Sequence, residues 1–226
     1  MTRRIVNLRW SSMPVLLTGL LALALYAFFQ IADEVGEAEI EGLDTALLLA
    51  FRNPADISDP LGPPWFEEFV TEITSLGGYP ILIALVVAVV GFLLVIRRFG
   101  LALYLSISLG AGTAISQLLK TLYDRPRPDL VDHLVTTHTA SFPSGHATMS
   151  TVVYLTLAAL IVRIVAQKRV RVYVLAVAVA ISIAVGLSRI YLGVHWPSDV
   201  AAGWALGVAW ACLSWLVASG LRAGRN

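Results

Sequence analysis

Six apolar stretches, each long enough or nearly so to cross a bilayer, limit this chain more than any other feature of its sequence. They run near Met13–Ile31, Tyr79–Ile96, Leu101–Leu119, Ala147–Val165, Val172–Leu187 and Val200–Leu221. A hydrocarbon core of ~30 Å takes about 20 residues of helix, because only a helix satisfies its own backbone hydrogen bonds in lipid. Charged residues make up 14% of the chain, against roughly 25% in a soluble domain. The expected fold is therefore an all-α, polytopic membrane protein in which residues 1–226 form a single domain. The first stretch follows a basic start, as a signal peptide would, but its apolar run of about 19 residues exceeds the usual 7–15. It is read as a span.

The charges orient this bundle. Arg3, Arg4 and Arg9 precede the first span, and Arg97 and Arg98 separate the second from the third. Arg163, Lys168, Arg169 and Arg171 join the fourth to the fifth, and Arg222 and Arg225 follow the sixth. With six spans these groups share one face, which the positive-inside rule makes cytoplasmic. All 15 Asp and Glu fall on the opposite, extracytoplasmic face. A net charge of +1 gives no field suited to nucleic acid. The one cysteine, Cys212, lies in an apolar run, so no intrachain disulfide can form and the thiol reads as a packed group.

The segment 32–78, between the first two spans, begins acidic with Asp33, Glu34, Glu37, Glu39 and Glu41. Beyond Pro63-Pro64, the apolar Trp65, Phe66, Phe69, Val70, Ile73 and Leu76 recur at helical spacing and stop at Gly77-Gly78. The spacing predicts a short extracytoplasmic helix, packed over the bundle or lying at the lipid interface. Trp10, Trp65 and Trp196 fall near the ends of spans, where amphipathic rings favour the interface.

Three motifs carry the chemistry, and all lie toward the extracytoplasmic face. In Lys120-x6-Arg127-Pro128, a lysine ends the third span and an arginine sits in a proline-stiffened turn. Basic residues are disfavoured on that face, so these cations are expected to have a task, such as a point charge and a bidentate fork for phosphate. Arg125 competes for the fork, unless it pairs with Asp124 or Asp129. In Pro143-Ser144-Gly145-His146, a polar loop becomes the fourth span. Ser144 suits an N-cap, Gly145 lets an anion approach the backbone, and the free amides of the first turn form an anion site beside His146. In Ser188-Arg189-x5-His195-x3-Asp199, Pro197 suits the first position of the sixth helix, which puts Asp199 in its first turn. A carboxylate four residues on can bind one imidazole nitrogen of His195 and leave the other free to attack. Each residue has a plainer reading: helix cap, dipole complement, interfacial histidine, snorkelling arginine. Their concurrence at one membrane face argues for a site. His133 and His138 have no partner at a useful spacing and read as solvated. No Cys, His or carboxylate cluster has metal spacing, so neither a metal nor another cofactor is expected.

These motifs resemble, position by position from Lys120 to Asp199, the signature of the type-2 phosphatidic acid phosphatase family, which is shared with vanadium haloperoxidases and glucose-6-phosphatase. The resemblance implies a membrane lipid-phosphate phosphatase with six spans and an outward-facing site. It implies His195 as a nucleophile forming a phosphohistidine, Asp199 as its orienting carboxylate, and His146 as the acid for the leaving group and then the base for water. Lys120, Arg127 and Arg189 would hold the phosphate, with Ser144 and the Gly145 amide completing the cradle. Undecaprenyl diphosphate, phosphatidylglycerophosphate, phosphatidic acid and lipid A phosphates are the candidate partners in the bilayer, and an outward site favours a polyprenyl diphosphate. A phosphotransferase passing phosphate to a second lipid would use the same groups. A transporter fits poorly, because the ionisable groups lie at one edge of the spans and not near the midplane. Oligomeric state is left open.

Overall fold

The structure, a computed structural model, describes residues 12–137 and 139–223. Arg3, Arg4, Arg9, Trp10, His138, Arg225 and the side chain of Arg222 lie outside the described residues. Helices α1 (Ser12–Gly36), α4 (Tyr79–Val95), α5 (Phe99–Tyr123), α6 (Gly145–Ile164), α7 (Lys168–Tyr191) and α8 (Pro197–Ala223) correspond to the six apolar stretches. Five are long and apolar enough to cross a membrane alone. α4, at 17 residues, falls just short alone and meets the same test only when taken together with α3 (Pro64–Ser75), from which it is bent by 44°.

Burial explains why these helices stay together in lipid. Val15, Leu23, Val87, Val95, Leu103, Ile107 and Tyr173 point outward, as lipid-facing side chains can. Inside, Leu82 and Leu93 of α4 pack on Leu105 and Leu109 of α5 and on Met149, Val152 and Val153 of α6. Phe28 and Ala32 of α1 pack on Ala202 and Leu206 of α8. The α6–α8 seam rests on Gly203-x3-Gly207, a small-residue spacing that lets backbones approach. A Cβ at Gly207 would lie 2.6 Å from the Cβ of Thr151, and one at Gly203 would lie 2.9 Å from the Ser144 carbonyl.

The extramembrane segment is richer than a single helix. It holds α2 (Glu41–Leu49), a two-stranded hairpin of β1 (Arg52–Asn53) and β2 (Asp56–Pro60), and α3. The all-α expectation therefore describes the bundle, with this hairpin added. Phe66 and Val70 of α3 pack on Tyr191 and Leu192 at the end of α7, while Trp65 and Phe69 stay exposed. At the α3–α4 bend, Gly77 lies against the His146 backbone, where a Cβ would come within 3.3 Å of its carbonyl. The 32–78 segment thus closes over the end of the bundle where α5 and α7 finish and α6 and α8 begin.

Candidate active site

Two helix C-termini and two helix N-termini meet at that end. Lys120 sits in the last turn of α5 and Arg189 in the last turn of α7, where a cation complements the helix dipole. Gly145 and His146 open α6, and Asp199 lies in the first turn of α8, which begins at Pro197 as its sequence predicts. Arg127 and His195 come from the two loops between these helices. All eight residues singled out in the motifs are brought together.

His195 is 2% exposed and Asp199 fully buried. Nδ1 of His195 lies 3.2 Å from Oδ2 of Asp199, which also accepts the Trp196 amide at 3.0 Å. On the other side of the ring, Nη1 of Arg127 lies 3.2 Å from Nε2. A guanidinium has no acceptor, so Nε2 must carry the lone pair and Nδ1 the proton. Burial first, and then Arg127, Arg189 and Lys120, hold the imidazole well below its ordinary pKa. The His195–Asp199 contact is thus a neutral imidazole donating to a carboxylate.

Arg127 also donates through Nε to the Thr139 carbonyl at 2.9 Å and through Nη1 to that of Val194, which locks one motif loop to the other. Lys120 donates to the Ala140 carbonyl at 2.6 Å. A Cβ on Gly145 would lie 3.6 Å from Cε of Lys120 and 3.7 Å from the Tyr79 hydroxyl, so the glycine keeps open the space beside the lysine. His146 is half-buried, within electrostatic reach of Arg189, His195, Lys120 and Arg127. Among the described residues, no three His, Cys, Asp or Glu side chains are grouped to share a metal ion.

The structure overturns some readings of single residues and keeps others. Ser144 occupies the N-cap position, but its hydroxyl makes no capping bond; Oγ is buried and unpartnered, while its carbonyl accepts the Thr148 amide. Arg189 does not snorkel: it is 4% exposed, donates to Oγ1 of Thr74 at 2.9 Å, and keeps a buried, unpartnered Nε. Arg125 pairs with neither Asp124 nor Asp129. It bridges Asp44 and Asp199, each at 2.8 Å. His133 is exposed and bonds the Pro128 carbonyl at 2.7 Å, and Cys212 is buried in the bundle.

Sequence reasoning missed Asp44, Thr74, Ser198 and Arg52. Arg52 was the one basic residue with neither a motif nor a cytoplasmic place. It is buried, and it donates to the Tyr191 carbonyl at 2.9 Å, capping the end of α7. That contact steadies the turn at Gly193, whose φ of +74° and neighbouring Asp132 carbonyl exclude a side chain.

A six-span bundle that gathers fixed cations and paired histidines at one end is the architecture of a membrane-embedded phosphatase. The chain belongs to the PAP2 superfamily, which residues 101–222 match. It is 34% identical to phosphatidylglycerophosphatase B of Bacillus subtilis over 148 residues, 64% of this chain and 71% of that protein. It is 38% identical to a Mycobacterium tuberculosis decaprenylphosphoryl-5-phosphoribose phosphatase over 43% of this chain and 52% of the relative. The crystal structure of a transmembrane PAP2-type phosphatidylglycerolphosphate phosphatase from Bacillus subtilis superposes with a TM-score of 0.72 at 26% identity, covering 93% of this chain and 97% of that one. That of Aquifex aeolicus LpxE gives 0.58 at 26% identity, covering 76% and 94%. The protein is a multi-span membrane enzyme of the lipid phosphatase kind.

Proposed function

We propose that this enzyme hydrolyses the terminal phosphate of a membrane lipid phosphate or diphosphate through a phosphohistidine on His195, without a metal ion. The observation that carries the reading is the line from Asp199 through His195 to Arg127. It leaves Nε2 with a lone pair, beside a cation that can transfer its hydrogen bond to an incoming phosphate oxygen.

In the first half-reaction, Nε2 of His195 forms a bond to phosphorus and the bond from phosphorus to the lipid oxygen breaks. His146 gives that oxygen its proton. Asp199 stabilises the charge that grows on the ring. In the second half, His146 takes a proton from water, the water oxygen attacks phosphorus, and the nitrogen–phosphorus bond breaks to release inorganic phosphate. Phosphoryl transfer needs mainly positioning and charge stabilisation. Lys120, Arg127 and Arg189 supply the charge, and the Gly145 amide and the Ser144 hydroxyl supply donors.

The substrate is a lipid with an exposed phosphate, with polyprenyl diphosphate and phosphatidylglycerophosphate foremost. The relatives are named for phosphatidylglycerophosphate, decaprenylphosphoryl-5-phosphoribose and undecaprenyl diphosphate. The segregated charges support an enzyme in the bacterial cytoplasmic membrane, with cytoplasmic termini and the site outside. The test is phosphate release by the detergent-purified protein in EDTA, across a panel of these lipids, beside His195→Ala. Release that survives chelation and is lost in the variant is expected. Full activity in His195→Ala, or strict dependence on a divalent ion, overturns the reading. Phosphate appearing on a second lipid in place of solution identifies a phosphotransferase.

A further inference from the structure

Asp199 has a competitor for its charge. Its Oδ2 serves the His195 ring, but its Oδ1 accepts from Nη1 of Arg125 at 2.8 Å. In a buried site a full cation on one carboxylate oxygen weakens what the other can offer an imidazole. The far end of the same guanidinium is occupied: Nη2 donates to Oδ2 of Asp44 at 2.8 Å. Asp44 is 1% exposed and comes from α2, in the extramembrane segment that holds none of the motifs. It also accepts the Ser198 amide at 2.8 Å, along with the Ser198 hydroxyl, and so caps the first turn of α8 one residue before Asp199. The Arg125 guanidinium lies over the Trp196 ring, with Cζ 5.6 Å from its centre.

We infer that Asp44 and Arg125 are positioning residues for the His195–Asp199 pair: Arg125 holds Asp199 in place, and Asp44 balances Arg125 so that Asp199 keeps its charge for the ring. The group of two carboxylates and one guanidinium then carries a net charge of −1. That charge faces the imidazole as it becomes a cationic phosphohistidine. A lone Arg125–Asp199 pair would be neutral and would offer the ring much less. The inference rests on His195 being the nucleophile, and it gives the 32–78 segment a part in catalysis without contact with substrate.

The test compares Asp44→Asn, Arg125→Gln and the double variant, with His195→Ala as control. It uses purified folded protein, dioctanoyl phosphatidic acid in detergent, and separate kcat and KM. Asp44→Asn keeps the shape and removes the charge. Its kcat is expected to fall roughly ten- to a hundredfold, the worth of one charged hydrogen bond, while KM stays within about twofold. The double variant removes the unbalanced cation with its partner and is expected to recover at least about threefold over Asp44→Asn, while it and Arg125→Gln both stay below wild type because Asp199 has lost the group that holds it. A merely structural ion pair would lower thermal stability and leave kcat per folded molecule unchanged. Wild-type kcat in Asp44→Asn, or no recovery in the double variant, overturns the inference. Should Asp44→Asn fail to fold, the double variant decides: kcat within about tenfold of wild type supports the balance, and any larger fall overturns it. An active His195→Ala instead removes the nucleophile on which the inference stands.

Discussion

Nη1 of Arg127 sits 3.2 Å from Nε2 of His195, so the nitrogen that would attack phosphorus is covered by the cation that would receive the phosphate. On the proposed mechanism, resting state and catalysis use the same guanidinium on two partners. Arg127→Lys keeps the charge and loses the planar fork that reaches His195, Val194 and Thr139 together. Its kcat/KM is expected to drop about a hundredfold or more, read as inorganic phosphate released per minute from a short-chain lipid phosphate.

Asp199→Asn forces a mismatch. Three donors converge on the native carboxylate: Nδ1 of His195 and the Trp196 amide on one oxygen, Arg125 on the other. An amide can offer an oxygen to only one side, so its NH2 must face a donor. If the ring changes tautomer in response, Nε2 loses its lone pair. The rate is expected to fall about 100- to 10,000-fold with the protein still folded, checked by phosphate release beside a melting curve.

Thr74 tests the link between α3 and the proposed phosphate cradle. Its hydroxyl is the acceptor the structure gives the buried Arg189 guanidinium. Thr74→Val leaves that cation poorly held, at the point where it would bind phosphate. KM for a lipid phosphate is expected to rise about tenfold with a smaller change in kcat. Equal KM values would mean that Arg189 is held by packing alone.

Acid should loosen the fold through His195. Its folded pKa lies well below 6.5 because burial and three nearby cations disfavour the imidazolium. Between those two values the unfolded chain binds the extra proton, so stability rises with pH. The contribution is complete above about pH 6.5 and is lost as pH falls below it. The melting temperature in detergent is expected to drop between pH 7 and pH 5, and to drop less in His195→Gln. Equal slopes for the two proteins would contradict this.

The α6–α8 seam can be tested by glycine substitution. At Gly203 an alanine methyl would meet the Ser144 carbonyl at 2.9 Å, and backbone there cannot move without shifting the motif turn. Gly203→Ala is expected to cost about 1–3 kcal/mol and to lower activity in the folded fraction. Gly110→Ala, in α5 with nothing within 4 Å, is expected to be neutral or mildly stabilising. Melting temperature and phosphate release on the same samples separate the two.

Much of this architecture could be read from the chain, because lipid imposes a local rule. A span must be apolar and helical, so each of the six stretches declares itself locally, within a helix of 17 to 27 residues. Pro197 and the 143–146 turn mark helix starts through backbone chemistry that is also local. The motif residues could be gathered because each lies at the end of a span on the same face. Asp44 could not be distinguished from Glu37, Glu39 or Glu41, since what sets it apart is a bond to Ser198, 154 residues away. Nor could the pairing of Arg125 be read: Asp124 and Asp129 are nearer in sequence, but the closed bundle brings Asp44 and Asp199 to it instead. Local chemistry along the chain thus set the spans, the distribution of charge and the inventory of the site. Packing of the closed bundle settled which carboxylate meets which cation, and with that which nitrogen of His195 faces Asp199, because buried ion pairs depend on three-dimensional geometry and leave no periodic trace along the chain.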